Sequence, residues 1–106
     1  MTRKTLIALV LFVFAFLSHA SAADPKVTIK EWDAKTPGAF PHDPCIAPDG
    51  ALWYTGQAGN LLGRVDPRTG EIKEYPLKTP KSGPHGLVAD KSGNIWFTAN
   101  SKAYIG

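Results

Sequence analysis

The chain has 106 residues, enough for one small domain. A hydrophobic share of 43% and a charged share of 20% exclude a disordered chain, and Gly (10) with Pro (9) makes it turn-rich without low complexity. The formal charge of +3 owes two units to Arg3 and Lys4; without them ten basic residues face nine acidic ones, and no basic cluster is left to suggest nucleic acid.

The first element in chain order is a secretory signal. Arg3 and Lys4 form its positive end, Leu6 to Leu17 is an apolar run, and Ala20-Ser21-Ala22 fits a small-residue cleavage site, with Ser18-His19-Ala20 as a second candidate. The apolar run is shorter than the roughly 20 residues a membrane span needs. Residues 1–22 are therefore expected to be removed, leaving 23–106 in the periplasm or the medium with no membrane attachment. Cys45 is the single cysteine, so an internal disulfide and a cysteine-rich zinc site are both excluded.

The remaining elements are strands and turns. Val27 to Trp32 reads as a strand. Cys45-Ile46-Ala47 is a short apolar run, followed by a Pro48-Asp49-Gly50 turn and an aromatic-rich strand from Ala51 to Thr55. A polar loop leads to a third strand, Leu61 to Val65. Asp66-Pro67-Arg68-Thr69-Gly70 is a turn, and Glu71 to Tyr75 alternates as a half-exposed edge strand should, with Pro76 ending it.

The sequence then repeats. Shifted by 43 residues, 29–63 falls on 72–106 without a gap, with 12 identities in 35 pairs. They include Pro41-His42 on Pro84-His85, Trp53 on Trp96, Thr55 on Thr98 and Gly63 on Gly106. A period of this size with four antiparallel strands describes a β-propeller blade. The expected fold is all-β: a first blade over about 41–76 and a second from 84. Val27 to Trp32 matches a fourth strand, as if closing a ring. Two blades do not make a ring, so the chain is expected to be an N-terminal piece of a propeller near 300 residues, inactive by itself.

The strings PHDPCIAPDGALWYTGQAGNLLGRVDPRTGEIKEYPL and GPHGLVADKSGNIWFTANSKAYIG resemble the streptogramin B lyase (virginiamycin B lyase) family. The matching core is the Gly-x-hydrophobic-Trp-aromatic-Thr strand, the Asn-x-hydrophobic-Gly step and the Thr-Gly-Glu-Ile-x-Glu-Tyr-Pro strand. The resemblance implies a seven-bladed propeller, monomeric when complete, that linearises a cyclic depsipeptide by taking a proton next to a carbonyl and expelling the threonine oxygen, without hydrolysis. It implies Mg2+ as cofactor in the complete fold, although nothing in this segment supports a metal. The family's catalytic histidines and glutamate lie in later blades, so no catalytic residue carries over.

Three residues are candidates for contact with a small or peptide-like substrate at the channel. His42 and His85 hold one repeat position, just before the first strand of each blade, and imidazole serves as ligand or base. The competing reading is an architectural Pro-His feature. Asp43, whose repeat partner is Gly86, is a channel carboxylate or a turn-former before Pro44. Trp53 and Trp96 read as packing between blades, Cys45 as a small buried hydrophobe, and Asp49 and Asp66 as turn residues rather than calcium ligands. Two alternatives to a lyase-like enzyme stay open: a non-catalytic propeller that binds a partner, and a gluconolactonase-like metal-dependent hydrolase.

Overall fold

The computed structural model describes residues 24–106; the expected signal peptide lies outside the described residues. Seven strands form two antiparallel sheets. The first contains β1 (Pro41–Ile46), β2 (Leu52–Gly56), β3 (Leu61–Val65) and β4 (Ile72–Pro76), in that order. The second contains β5 (Pro84–Ala89), β6 (Ile95–Ala99) and β7 (Tyr104–Ile105). There is no helix among the described residues. β5 and β6 start 43 residues after β1 and β2.

The hairpin turns follow from their sequences. Between β1 and β2, Gly50 donates its N–H to Ala47 O at 2.9 Å with φ at 79°, a left-handed conformation that only glycine takes without steric cost. The Asp49 carboxylate accepts the Ala51 N–H at 3.0 Å and completes the turn. Gly93, at φ 86°, closes the corresponding turn of the second sheet onto Asp90.

One face of the first sheet carries the core. Pairing of Leu52 with Val65, Gly56 with Leu61 and Val65 with Ile72 puts these side chains on the same face, where Tyr54, Leu61, Val65 and Ile72 bury together with Ala39. Tyr54, Gly63 and Glu74 lie in one cross-strand row. A Cβ at Gly63 would fall inside the Tyr54 ring, so the glycine lets that ring lie flat across β3. The Tyr54 hydroxyl thereby reaches Glu74 and donates to Oε1 at 3.0 Å. Glu74 also accepts from the Thr36 N–H at 3.2 Å and from the Thr36 hydroxyl, which fastens the segment before β1 onto the sheet. In the second sheet Phe97 crosses Gly106 in the same manner.

On the opposite face Trp53 stacks on Tyr75 of its own sheet, with ring centroids 5.5 Å apart, and lines the cleft toward the Lys91–Gly93 turn of the second sheet. Trp96 is 48% exposed and donates its indole N–H to Asp90 at 2.9 Å. Asn60 links the sheets through loops: its side-chain oxygen accepts the Ser82 N–H at 2.7 Å, and its amide donates to Thr79 O at 3.0 Å.

Two expectations change. Val27 to Trp32 carries no strand, and Val27 and Ile29 stand 76% and 79% exposed; a strand exists only where a neighbouring ladder takes up its backbone groups. β4 ends at Pro76 as expected, with the proline included as its last residue opposite Leu61, an edge position where a missing N–H costs nothing. β1 begins at Pro41, four residues earlier than the apolar run suggested.

Two outcomes follow from the Tyr54 row. Gly63→Ala should lower the urea-unfolding free energy by roughly 1–3 kcal/mol, because the added methyl overpacks the ring. Burial, then the hydrogen bond to Glu74, pushes the Tyr54 phenol up to about 12 from its ordinary 10. The folded chain thus favours the protonated phenol; that contribution is complete below pH 10 and disappears as pH rises through about 12. A tyrosinate absorbance titration should show a late step that Tyr54→Phe abolishes.

Candidate functional site

The site is built on two irregular strands. β1 shifts register against β2 between Pro41 and Pro44, and β5 shifts against β6 between Pro84 and Leu87. Proline cannot donate to a ladder, so pairing lapses there and a bulge forms. His42 and Asp43 occupy the first bulge, and His85 and Gly86 the second. The histidines therefore lie within the first strand of each sheet, not before it as the sequence suggested. Bulges re-aim side chains, and these two bring His42, Asp43 and His85 together.

Asp43 sits between the two imidazoles. Its Oδ1 meets His42 Nδ1 at 2.8 Å, and its Oδ2 faces His85 Nδ1 at 3.7 Å. The rings lie 4.0 Å apart between centroids, inclined at 43°. The side chains of His42, Asp43 and His85 are 42%, 40% and 37% exposed, so the group is open to solvent yet flanked on one side by protein. A Cβ on Gly86 would press on the Thr98 hydroxyl at 3.2 Å and would make only ordinary contact with Asp43 Oδ2 at 4.0 Å. The contact from Asp43 orients the His42 ring, while His85 stands just beyond hydrogen-bond reach of the same carboxylate.

Thr55 sets the spacing. Its hydroxyl, with no exposed surface, accepts the Asp43 N–H at 3.1 Å and donates to His85 O at 2.9 Å. One buried oxygen thus holds the backbone of both bulges. In the second sheet Thr98 accepts the Gly86 N–H at 2.8 Å, the equivalent bond. Sequence reasoning assigned Thr55 no role, although its identity with Thr98 was a signal that a mid-strand hydroxyl is needed. Glu74 was likewise read as part of an exposed alternation.

The other candidates lie elsewhere. Asp49 pairs with Arg64 at 2.8 Å and Asp66 with Arg68 at 3.0 Å, and both carboxylates also cap backbone N–H groups of their turns. The Arg68 side chain and N–H hold the Asp66 carboxyl down at about 2. Cys45 is half-buried in β1, and burial raises its thiol, as suits a packing residue rather than a nucleophile.

Mg2+ does not fit the residues present. It requires oxygen donors in near-octahedral geometry, whereas His42, Asp43 and His85 offer two nitrogens and one carboxylate. Among the described residues no other His, Cys, Asp and Glu side chains gather in a group of three or more.

The Thr55 arrangement has a direct test. Thr55→Val leaves the part-buried Asp43 N–H and His85 carbonyl without their partner, so it should cost about 1–3 kcal/mol in chemical denaturation, whereas Thr55→Ser should recover most of it.

The virginiamycin B lyase family matches residues 12–106. No curated protein sequence matches the chain. Among solved structures, selenomethionine-substituted virginiamycin B lyase from Staphylococcus aureus is 35% identical with a TM-score of 0.65, over 74% of this chain and 30% of that one. A catalytically inactive histidine-to-alanine variant of the S. aureus enzyme, determined with quinupristin, is 34% identical with a TM-score of 0.64, over 74% and 30%. A streptogramin B lyase structure is 32% identical with a TM-score of 0.65, over 74% and 29%. The chain thus spans somewhat under a third of the length of these enzymes. The match covers both sheets and the bulged strands that bear His42, Asp43 and His85, and the chain belongs to the virginiamycin B lyase family.

Proposed function

We propose that this chain supplies two successive blades of an exported, lyase-like propeller that opens cyclic depsipeptides by elimination. The observation that carries the reading is the 35% identity to virginiamycin B lyase over 74% of the chain. In such a reaction a carbon next to a carbonyl loses its proton to a base. The released electron pair becomes a carbon–carbon double bond, and the bond to the ester oxygen breaks with the oxygen carrying the charge away. No water is consumed.

In this reading the complete ring has seven blades, and the first strands of the blades surround the substrate. His42 and His85 present imidazole edges to it, with the Asp43 carboxylate beside both and hydrogen-bonded to His42. They orient the depsipeptide and hold hydrogen bonds to its carbonyl groups, while the base that removes the proton comes from other blades. The 106-residue chain is then inactive by itself. The two imidazoles and one carboxylate of this segment do not suit Mg2+, and His42, Asp43 and His85 act here without it.

Quinupristin incubated with the chain, and with the chain joined to the remaining blades of a family member, tests the reading by mass spectrometry. The expected result is an intact substrate with the chain alone and a ring-opened product of unchanged mass with the complete propeller. A product heavier by one water would replace the lyase with a hydrolase. His42→Ala and His85→Ala in the complete propeller should raise KM more than they lower kcat, as loss of positioning contacts does.

A further inference from the structure

Two imidazoles and a carboxylate converge at the junction of the two sheets, and their geometry suits something other than an oxygen-seeking ion. Each residue offers one ligand atom, and the three atoms lie within 4.8 Å of one another. Both histidines turn Nδ1 toward Asp43, at 2.8 and 3.7 Å. Donors that bind Zn2+ at about 2.0–2.1 Å in tetrahedral geometry stand about 3.3 Å apart. The two observed separations, which run to different oxygens of Asp43, bracket that value, and with all three ligand atoms within 4.8 Å no pair needs to close by more than about 1.5 Å to reach it.

The geometry points to a binding site for a borderline divalent transition metal, Zn2+ foremost, formed by His42, Asp43 and His85. Nitrogen with one carboxylate is the donor set such ions prefer over Mg2+ and Ca2+. Three protein ligands leave at least one position for water or a substrate oxygen, as in open zinc sites. The partial exposure of all three side chains lets an ion enter without unfolding. Preorganisation comes from Thr55, whose buried hydroxyl fixes the backbone of Asp43 and His85 before any metal arrives. Because its ligands come from β1 and β5, the ion joins the two sheets, so binding stabilises the folded chain by linkage. The inference does not depend on the lyase reading: it concerns what these three side chains bind, and it stands or falls without any turnover.

Calorimetric titration of the purified 106-residue chain with ZnSO4, followed by electronic absorption with Co2+ as the probe ion, tests it. The expected result is one saturable site, a tetrahedral Co2+ spectrum without thiolate bands, and a Zn2+-dependent rise in the thermal midpoint. Mg2+ in large excess should change none of these. His42→Ala, His85→Ala and Asp43→Asn should each weaken Zn2+ by at least about tenfold, the low end of what even outer partners of metal ligands contribute. His19→Ala and Cys45→Ser should leave it unchanged. Circular dichroism separates lost binding from lost folding. If a variant unfolds, the imidazole resonances of the wild-type chain decide: two histidines shifting together on Zn2+ addition support the site. Equal affinity in wild type and in folded His42→Ala/His85→Ala, or imidazole resonances unmoved by Zn2+, would overturn the proposal.

Discussion

A single buried hydroxyl coordinates this structure. Thr55 accepts from the backbone of one sheet and donates to the backbone of the next, and two of the three side chains of chemical interest, Asp43 and His85, hang from the residues it binds. Serine in its place would keep both bonds; valine would fill the space and lose them. No apolar contact could substitute, because packing alone does not fix two strands to within the few tenths of an ångström that a hydrogen bond enforces. The first sheet meets the second where β1 and β2 pack against β5, and the candidate site forms at that seam.

The sheet itself rests on a complementary device. Tyr54 lies across a missing side chain at Gly63 and is anchored by Glu74, which in turn holds the incoming segment through Thr36. Burial raises the Glu74 carboxyl, yet the donors from Thr36 and Tyr54 outweigh it and leave the group below its ordinary range. Each member therefore needs the others: the ring needs the glycine, the phenol needs the acceptor, and the buried acceptor needs its donors. No buried side-chain polar atom among the described residues lacks a partner.

Much of the architecture was legible because its determinants are local. Pro48-Asp49-Gly50 and Asp66 to Gly70 are turns whose chemistry sits in adjacent residues, and the 43-residue shift carried the first blade onto the second. The alignment of His42 with His85 announced a shared place in the fold. What escaped the sequence was non-local. The bulges arise from pairing between strands, so the histidines seemed to precede strands that in fact contain them. The row of Tyr54, Gly63 and Glu74 requires the cross-strand register. The coupling of Asp43 to His85 joins residues 42 positions apart, on different sheets. Val27 to Trp32 was misread for the converse reason: its alternation is local, but a strand is a property of two chains of backbone, not one.

The paired bulges have a consequence for how this architecture acquires chemistry. Elsewhere in a sheet, every side chain is bound by the alternation that sorts it to one face or the other. At 42–43 and 85–86 the ladder is interrupted, and proline on the approach to each interruption keeps it so. The two repeats already hold different contents there, Asp43 in one and Gly86 in the other, while the strands around them keep the same pairing. The bulge thus behaves as an interchangeable socket. Each sheet can therefore take a different side chain at its bulge without altering the pairing of the strands that carry it.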